Sequence, residues 1–144
     1  YTPDKETLFC KQLLRNENEV IGYETGLSAL NRIGLVSQMP QKRCIATNLH
    51  MKRIPKGMQI EIRKPPIRVN ADNFRYLQIL DAIRELDMAP VDTAKPVDVV
   101  RATVQKFALE TDQMILMARK YYGQKTLVRT IDIMLEGSYE SARG

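Results

Sequence analysis

The hydrophobic and polar positions of this chain fall into three stretches of different period. Leu8, Phe9, Leu13 and Leu14 stand in a polar background and predict a short amphipathic helix, started by Pro3 and Asp4 and stopped at residues 16–18. Val20 and Ile21 lead into Gly22, Tyr23, Glu24, Thr25 and Gly26. Leu27, Leu30 and Ile33 then recur at helical spacing, with Thr25 as the cap, Gly34 as the left-handed residue past the last turn and Leu35 folding back on it. The period next drops to two. Ile45, Thr47 and Leu49 alternate with Ala46 and Asn48, and Met58, Ile60 and Ile62 alternate with Gln59, Glu61 and Arg63, as half-buried strands do. Pro55-Lys56-Gly57 between them is turn chemistry, so a hairpin or small meander is expected. Pro65 and Pro66 interrupt pairing, and residues 67–69 resume as an edge strand.

From Asp72 the period returns to 3.6. Phe74, Leu77, Leu80 and Ile83 mark a helix capped by Asp72 with Pro90 beyond it. Pro96 opens a second with Val100, Val104 and Phe107. Thr111 caps a third carrying Met114, Ile115, Ala118, Tyr121 and Tyr122. Leu127, Val128, Ile131, Met134 and Leu135 form the clearest stripe, stopped by Gly137, with a frayed tail after Ser138. The expected fold is α+β: a small antiparallel sheet with two N-terminal helices, followed by a helical C-terminal half. The polar connector at 89–95 is short, so residues 1–144 are read as one domain with subregions at 1–70 and 71–144.

A chain of 144 residues, 44% hydrophobic, can bury a core without metal or disulfide staples. Its longest apolar run, residues 114–118, falls far short of the roughly 18 that span a bilayer, so a membrane partner is not expected. Cys10 and Cys44 make no disulfide framework and read as free thiols of a cytoplasmic protein.

Charge changes the picture more. The net value is +5, but residues 1–70 hold twelve basic and six acidic side chains, against ten and eleven in residues 71–144. Lys42, Arg43, Lys52, Arg53, Lys56, Arg63, Lys64 and Arg68 face one acid, Glu61, in the central segment. Side chains alternate across a strand, so Arg63 points away from Ile60 and Ile62. Arg43, Arg63 and the turn residues Lys52, Arg53 and Lys56 are expected to share one exposed surface that a phosphate backbone or acidic protein would feel.

Catalytic chemistry is hard to find. His50 is the only histidine, which rules out a two-histidine metal site and leaves it an ordinary polar residue that at most assists anion binding. The cysteines lack the spacing of a thiolate metal pair. Gly26-Leu27-Ser28-Ala29-Leu30 has Leu where a nucleophile elbow needs its second glycine. No phosphate loop or dinucleotide fingerprint occurs among the seven glycines. Asp81, Glu85 and Asp112 read as solvated charges on outward helix faces, and the methionines at 114, 117 and 134 as core filler. No cofactor and no enzymatic activity are expected.

The run from Gly26 to Pro40, with Ile33-Gly34-Leu35-Val36-Ser37-Gln38-Met39-Pro40 at its end and Ile45-Ala46-Thr47-Asn48 after it, resembles the central signature of AbiEi-type antitoxins. There a small-residue helix ends in a Leu-Gly-Leu-Thr-Thr-Gln-Val-Pro-like segment, from which this chain departs at the middle positions, and a strand ending in Thr-Asn follows. Ile79-Leu80-Asp81-Ala82 resembles the family's Leu-Leu-Asp-Ala helix. The likeness covers about 70 residues, and Tyr1-Thr2-Pro3 resembles the segment after its N-terminal winged helix. The resemblance implies the C-terminal portion of an abortive-infection antitoxin and transcriptional regulator, non-enzymatic, binding operator DNA with a winged helix that this chain lacks and paired with a nucleotidyltransferase-like toxin. The motif also has a packing reading: Leu27, Leu30, Ile33 and Leu35 seat the helix on the sheet, and Gln38 satisfies backbone groups at the turn. The alternatives are a nucleic-acid-processing enzyme, for which Glu61 is the one carboxylate at the basic segment, and a basic protein-interaction module.

Overall fold

A computed structural model describes residues 4–50, 53–86 and 95–143, with side chains to residue 135. Asp4 caps α1 (Lys5–Leu14), its carboxylate accepting the Glu6 N–H at 3.0 Å. A small antiparallel ribbon follows, β1 (Arg15–Asn16) with β2 (Glu19–Val20), turned through Glu17 at φ 56°. β3 (Gly22–Glu24) then runs into α2 (Gly26–Ile33). Gly34 ends this helix at φ 97°, and the Leu35 N–H returns to the Leu30 carbonyl at 2.8 Å, the closing bond of the expected C-terminal motif. Leu30 and Leu35 are both fully buried, and each such side chain contributes about 1.5–3 kcal/mol.

The main sheet has the order β3-β4-β5, with β4 (Arg43–Thr47) in the centre and β5 (Ile60–Arg63) at one edge. β3 and β4 are antiparallel, with Tyr23 opposite Ala46. β4 and β5 are parallel, with Arg43 opposite Ile60 and Ile45 opposite Ile62, so the expected hairpin does not form. Its turn does: the Met58 N–H reaches the Pro55 carbonyl at 3.2 Å and Gly57 sits at φ 89°. That turn lies inside the crossover of residues 48–59. A connection of about a dozen residues can return the chain to the starting end of a parallel neighbour, as a tight hairpin loop cannot.

The sheet separates two cores. On one side Ile45 and Ile60 pack with Cys10 and Leu13 of α1, and Met58 and Ile62 lie against them. On the other, Ala46 and Tyr23 join α2 and the helical half: α3 (Phe74–Glu85), α4 (Pro96–Lys106), α5 (Thr111–Tyr121) and α6 (Gln124–Arg143). The α+β class and the helical C-terminal half are therefore as expected, and the larger core draws on both halves of the chain. Among the described residues no helix is long and apolar enough to cross a membrane.

Several local expectations change. Residues 67–69 form no strand; instead the Asn48 side-chain amide holds Val69, accepting its N–H at 2.8 Å and donating to its carbonyl at 2.9 Å. Asn70, rather than Asp72, accepts the N–H groups ahead of α3. Thr111 is the first residue of its helix, behind Glu110. Asn31 donates to the Val36 and Ser37 carbonyls, the role expected of Gln38, which is exposed. Leu27 is 44% exposed and lies outside the packed face of α2. In α6 the buried face is Thr126, Thr130, Ile133 and Met134, which leaves Val128 and Leu135 nearly half exposed. The Thr130 hydroxyl donates to the Thr126 carbonyl at 2.8 Å, so threonines can sit inward there. The helix passes through Gly137 to Arg143. Pro90, most of the 89–95 connector and Tyr1-Thr2-Pro3 lie outside the described residues.

Candidate functional site: a basic cleft at the end of the parallel pair

The described basic residues do not share one exposed surface. Arg43 and Arg63 leave the sheet on opposite faces, because Arg63 pairs in register with Ala46, three residues along β4 from Arg43. Arg43 turns towards α1 and lies beside Cys10, a contact that raises the guanidinium pKa against the effect of burial. Arg63 turns towards α2 and α3. Its guanidinium bonds Glu61 at 3.1 Å and Glu85 of α3 at 3.4 Å, and it lies so close to Gly26 that an added Cβ would come within 3.1 Å. Burial works against its charge, but Glu61 and Glu85 outweigh it and raise the pKa. One member of the expected surface is thus neutralised in part by the helical half. Lys42, Arg53 and Lys56 are exposed, and Lys52 lies outside the described residues.

What does come together is a cleft of about 370 Å³ beyond the carboxyl ends of β4 and β5. Arg63, Lys64 and Arg68 line it with Asn48 and His50. Among the described residues no carboxylate does. Lys64, Arg68 and His50 are exposed, and among the described residues they make no ion pair. One wall is the segment 64–68, stiffened by Pro65 and Pro66 and pinned at its end by the two Asn48–Val69 bonds. The backbone that carries these cations is held before any anion arrives, which lowers the ordering cost of binding. His50 joins the cleft through the crossover, which brings Asn48 to His50 alongside Lys64 and Arg68.

Glu61, the acid on which an enzymatic reading depends, is already engaged. It accepts from the Cys44 thiol at 3.2 Å as well as from Arg63, and these partners hold its pKa below the ordinary value against burial. Burial, with Glu61 adding to it, pushes the Cys44 thiol up to about 11. Burial also raises Cys10, and both cysteines are free. Among the described residues no group of three or more His, Cys, Asp or Glu is placed to hold a metal ion.

Asp81 is the main departure from the sequence reading. It is 2% exposed, at the centre of a buried network. Its carboxylate accepts from the Tyr23 hydroxyl at 2.8 Å, the Thr25 hydroxyl at 2.5 Å and the Tyr122 hydroxyl, and Arg84 approaches it at 3.7 Å. Burial and then the charge of Asp81 raise the pKa values of Tyr23 and Tyr122. Thr25 is the N-cap residue of α2, as expected, but its hydroxyl makes no capping bond and donates to Asp81 instead. The Ile79-Leu80-Asp81-Ala82 segment thus ties β3, the start of α2 and the end of α5 to α3. No protein-family model, curated protein or solved structure matches the chain.

Proposed function

We propose that this chain is a non-catalytic binding domain, an antitoxin and transcriptional regulator of a bacterial abortive-infection system acting in the cytoplasm, and that it holds nucleic-acid phosphates in the cleft of Lys64, Arg68 and His50. The observation that supports this most directly is that, among the described residues, no carboxylate lines a cleft that carries these cations. A surface evolved only for solubility would intersperse the two signs. Operator contacts through a winged helix and a nucleotidyltransferase-like toxin as partner complete the reading, and both rest on the resemblance of Gly34, Leu35, Gln38, Pro40, Thr47 and Asn48 to the antitoxin signature.

Anisotropy of a labelled DNA duplex, titrated at several salt concentrations, tests the cleft. Each neutralised phosphate contributes about −0.9 to the log-log slope, so Lys64→Gln with Arg68→Gln should make the slope shallower by about two. A flat salt response in the unaltered protein would remove nucleic acid from the reading. If the double change leaves DNA binding intact but abolishes capture of the toxin, the face serves an acidic protein. Magnesium-dependent cleavage of the duplex that disappears in Glu61→Gln would replace the proposal with a nuclease.

A further inference from the structure

A second cleft, of about 440 Å³, opens on another part of the molecule, where the strand-rich segment meets the helical half. Its walls come from the start of β1, from β3, α2 and α3, and from the end of α4. Four cations line it: Arg15, Arg32, Arg75 and Lys106. The one acid, Glu24, is bonded to Arg32. Arg15, Arg75 and Lys106, from three different elements, therefore converge with no carboxylate to answer them, and among the described residues none makes an ion pair.

Arg75 is fixed in place by aromatic faces. Its guanidinium carbon stands 3.9 Å from the centre of the Phe107 ring and 4.6 Å from that of Phe74. The Lys106 ammonium lies 5.4 Å from the Phe107 ring. A planar guanidinium clamped in this way presents its donors as a rigid fork, the geometry that matches two oxygens of one phosphate. Burial, and then the charge of Arg15, disfavours the charged form of Arg75. Like charges gathered in a partly desolvated cleft cost stability unless an anion joins them.

We propose that this second cleft is a binding site for a small phosphorylated molecule, with Arg75 gripping the phosphate and Arg15 and Lys106 flanking it. The volume exceeds what one phosphate fills and falls within the range of small-molecule pockets. The site is separate from the Lys64–Arg68 cleft and does not depend on nucleic-acid binding there.

Isothermal titration calorimetry of the full chain with inorganic phosphate, pyrophosphate and adenosine diphosphate, against sodium chloride at matched ionic strength, tests this. Heat with adenosine diphosphate and little with inorganic phosphate assigns a phosphate ester, and the reverse order assigns the free ion. Arg15→Gln and Lys106→Gln should each weaken binding about tenfold or more, the loss of one charge-assisted hydrogen bond. Lys64→Gln with Arg68→Gln should leave it unchanged. In phosphate-free buffer Arg15→Gln should melt no lower than the unaltered protein, because it relieves repulsion, and should lose the thermal shift that pyrophosphate confers. Sodium chloride matching every probe, or pyrophosphate binding that survives Arg15→Gln and Lys106→Gln in a chain that also carries Lys64→Gln and Arg68→Gln, would overturn the site while leaving the DNA reading untouched.

Discussion

Asp81 carries more of this fold than any other single polar side chain described. Two tyrosine hydroxyls and a threonine hydroxyl converge on one buried carboxylate, Tyr23 and Thr25 from the junction of β3 and α2 and Tyr122 from the end of α5. Replacing Asp81 by Ala strands the Tyr23 and Thr25 hydroxyls at about 1–3 kcal/mol for each one left unsatisfied, while Tyr122 keeps the Leu77 carbonyl at 3.3 Å. Urea unfolding should show the unfolding free energy falling by that sum, through a lower midpoint with little change in slope. A change below about 1 kcal/mol would mean that water reaches the hydroxyls and that the network is not sealed. Residue type alone predicts a solvated carboxylate here. Its position said otherwise: four residues after Leu77 and beside Leu80, it lies on the inward side of α3. Thr25 and Tyr122 were legible as helix-boundary and inward residues respectively, but their common partner lies 56 and 41 positions away, and no local pattern shows that.

At the level of elements, two glycines do different work. Gly22 has an ordinary backbone angle but no space: an added Cβ would come within 2.4 Å of the Leu13 carbonyl oxygen and 2.7 Å of the Ala46 carbonyl oxygen. Gly34 has space but a left-handed backbone, its nearest neighbour being Val99 at 4.0 Å. Gly22→Ala should therefore cost more, about 1–3 kcal/mol for overpacking and up to loss of the fold if α1 cannot shift, while Gly34→Ala should cost about 1 kcal/mol. Thermal denaturation of the two variants side by side reads the order, and equal shifts would show that α1 moves freely off the sheet. Gly34 was legible because a helix stop has a local signature. The crowding at Gly22 was not, because it is set by α1 and β4 closing on β3. β3 itself was missed since Gly22, Tyr23 and Glu24 are all buried, leaving no alternation to read. The parallel course of β5 was hidden too: the turn at Pro55–Met58 is genuine, and only the length of the crossover around it distinguishes the two topologies.

Across the whole molecule, buried acids are spread through both cores. Cys10 lies in the smaller one, Tyr23 in the larger with Tyr122 packed against it, and Cys44 between sheet and α2. All four have pKa values raised above their ordinary ones, Cys44 to about 11. A folded state that keeps these groups protonated is fully favoured below the unfolded values, near pH 9 for the thiols and 10 for the phenols. Above them the unfolded chain releases protons that the folded one retains, so stability falls as pH rises from about 9, by up to about 1.4 kcal/mol per pH unit for each group. Urea midpoints measured by circular dichroism between neutral and strongly alkaline pH should stay level and then drop; a flat line past pH 11 would mean that the four groups are open to solvent. The candidate site was legible only in part. Arg63, Lys64 and Arg68 were found by charge count and do share a cleft, yet a count cannot assign faces. Arg43 lies on the far side of the sheet, and Arg15, Arg75 and Lys106 are scattered in sequence, so no local charge count brings them together.

β5 closes the sheet on one side with four residues, two of them Glu61 and Arg63, and the chain reaches Pro65 and Pro66 directly afterwards. A ribbon border that short, ionic and proline-terminated gives a neighbouring molecule little on which to zip, since proline has no amide hydrogen to offer. Arg63, Pro65 and Pro66, which also wall the Lys64–Arg68 cleft, thereby guard the protein against cross-β aggregation in a crowded solution.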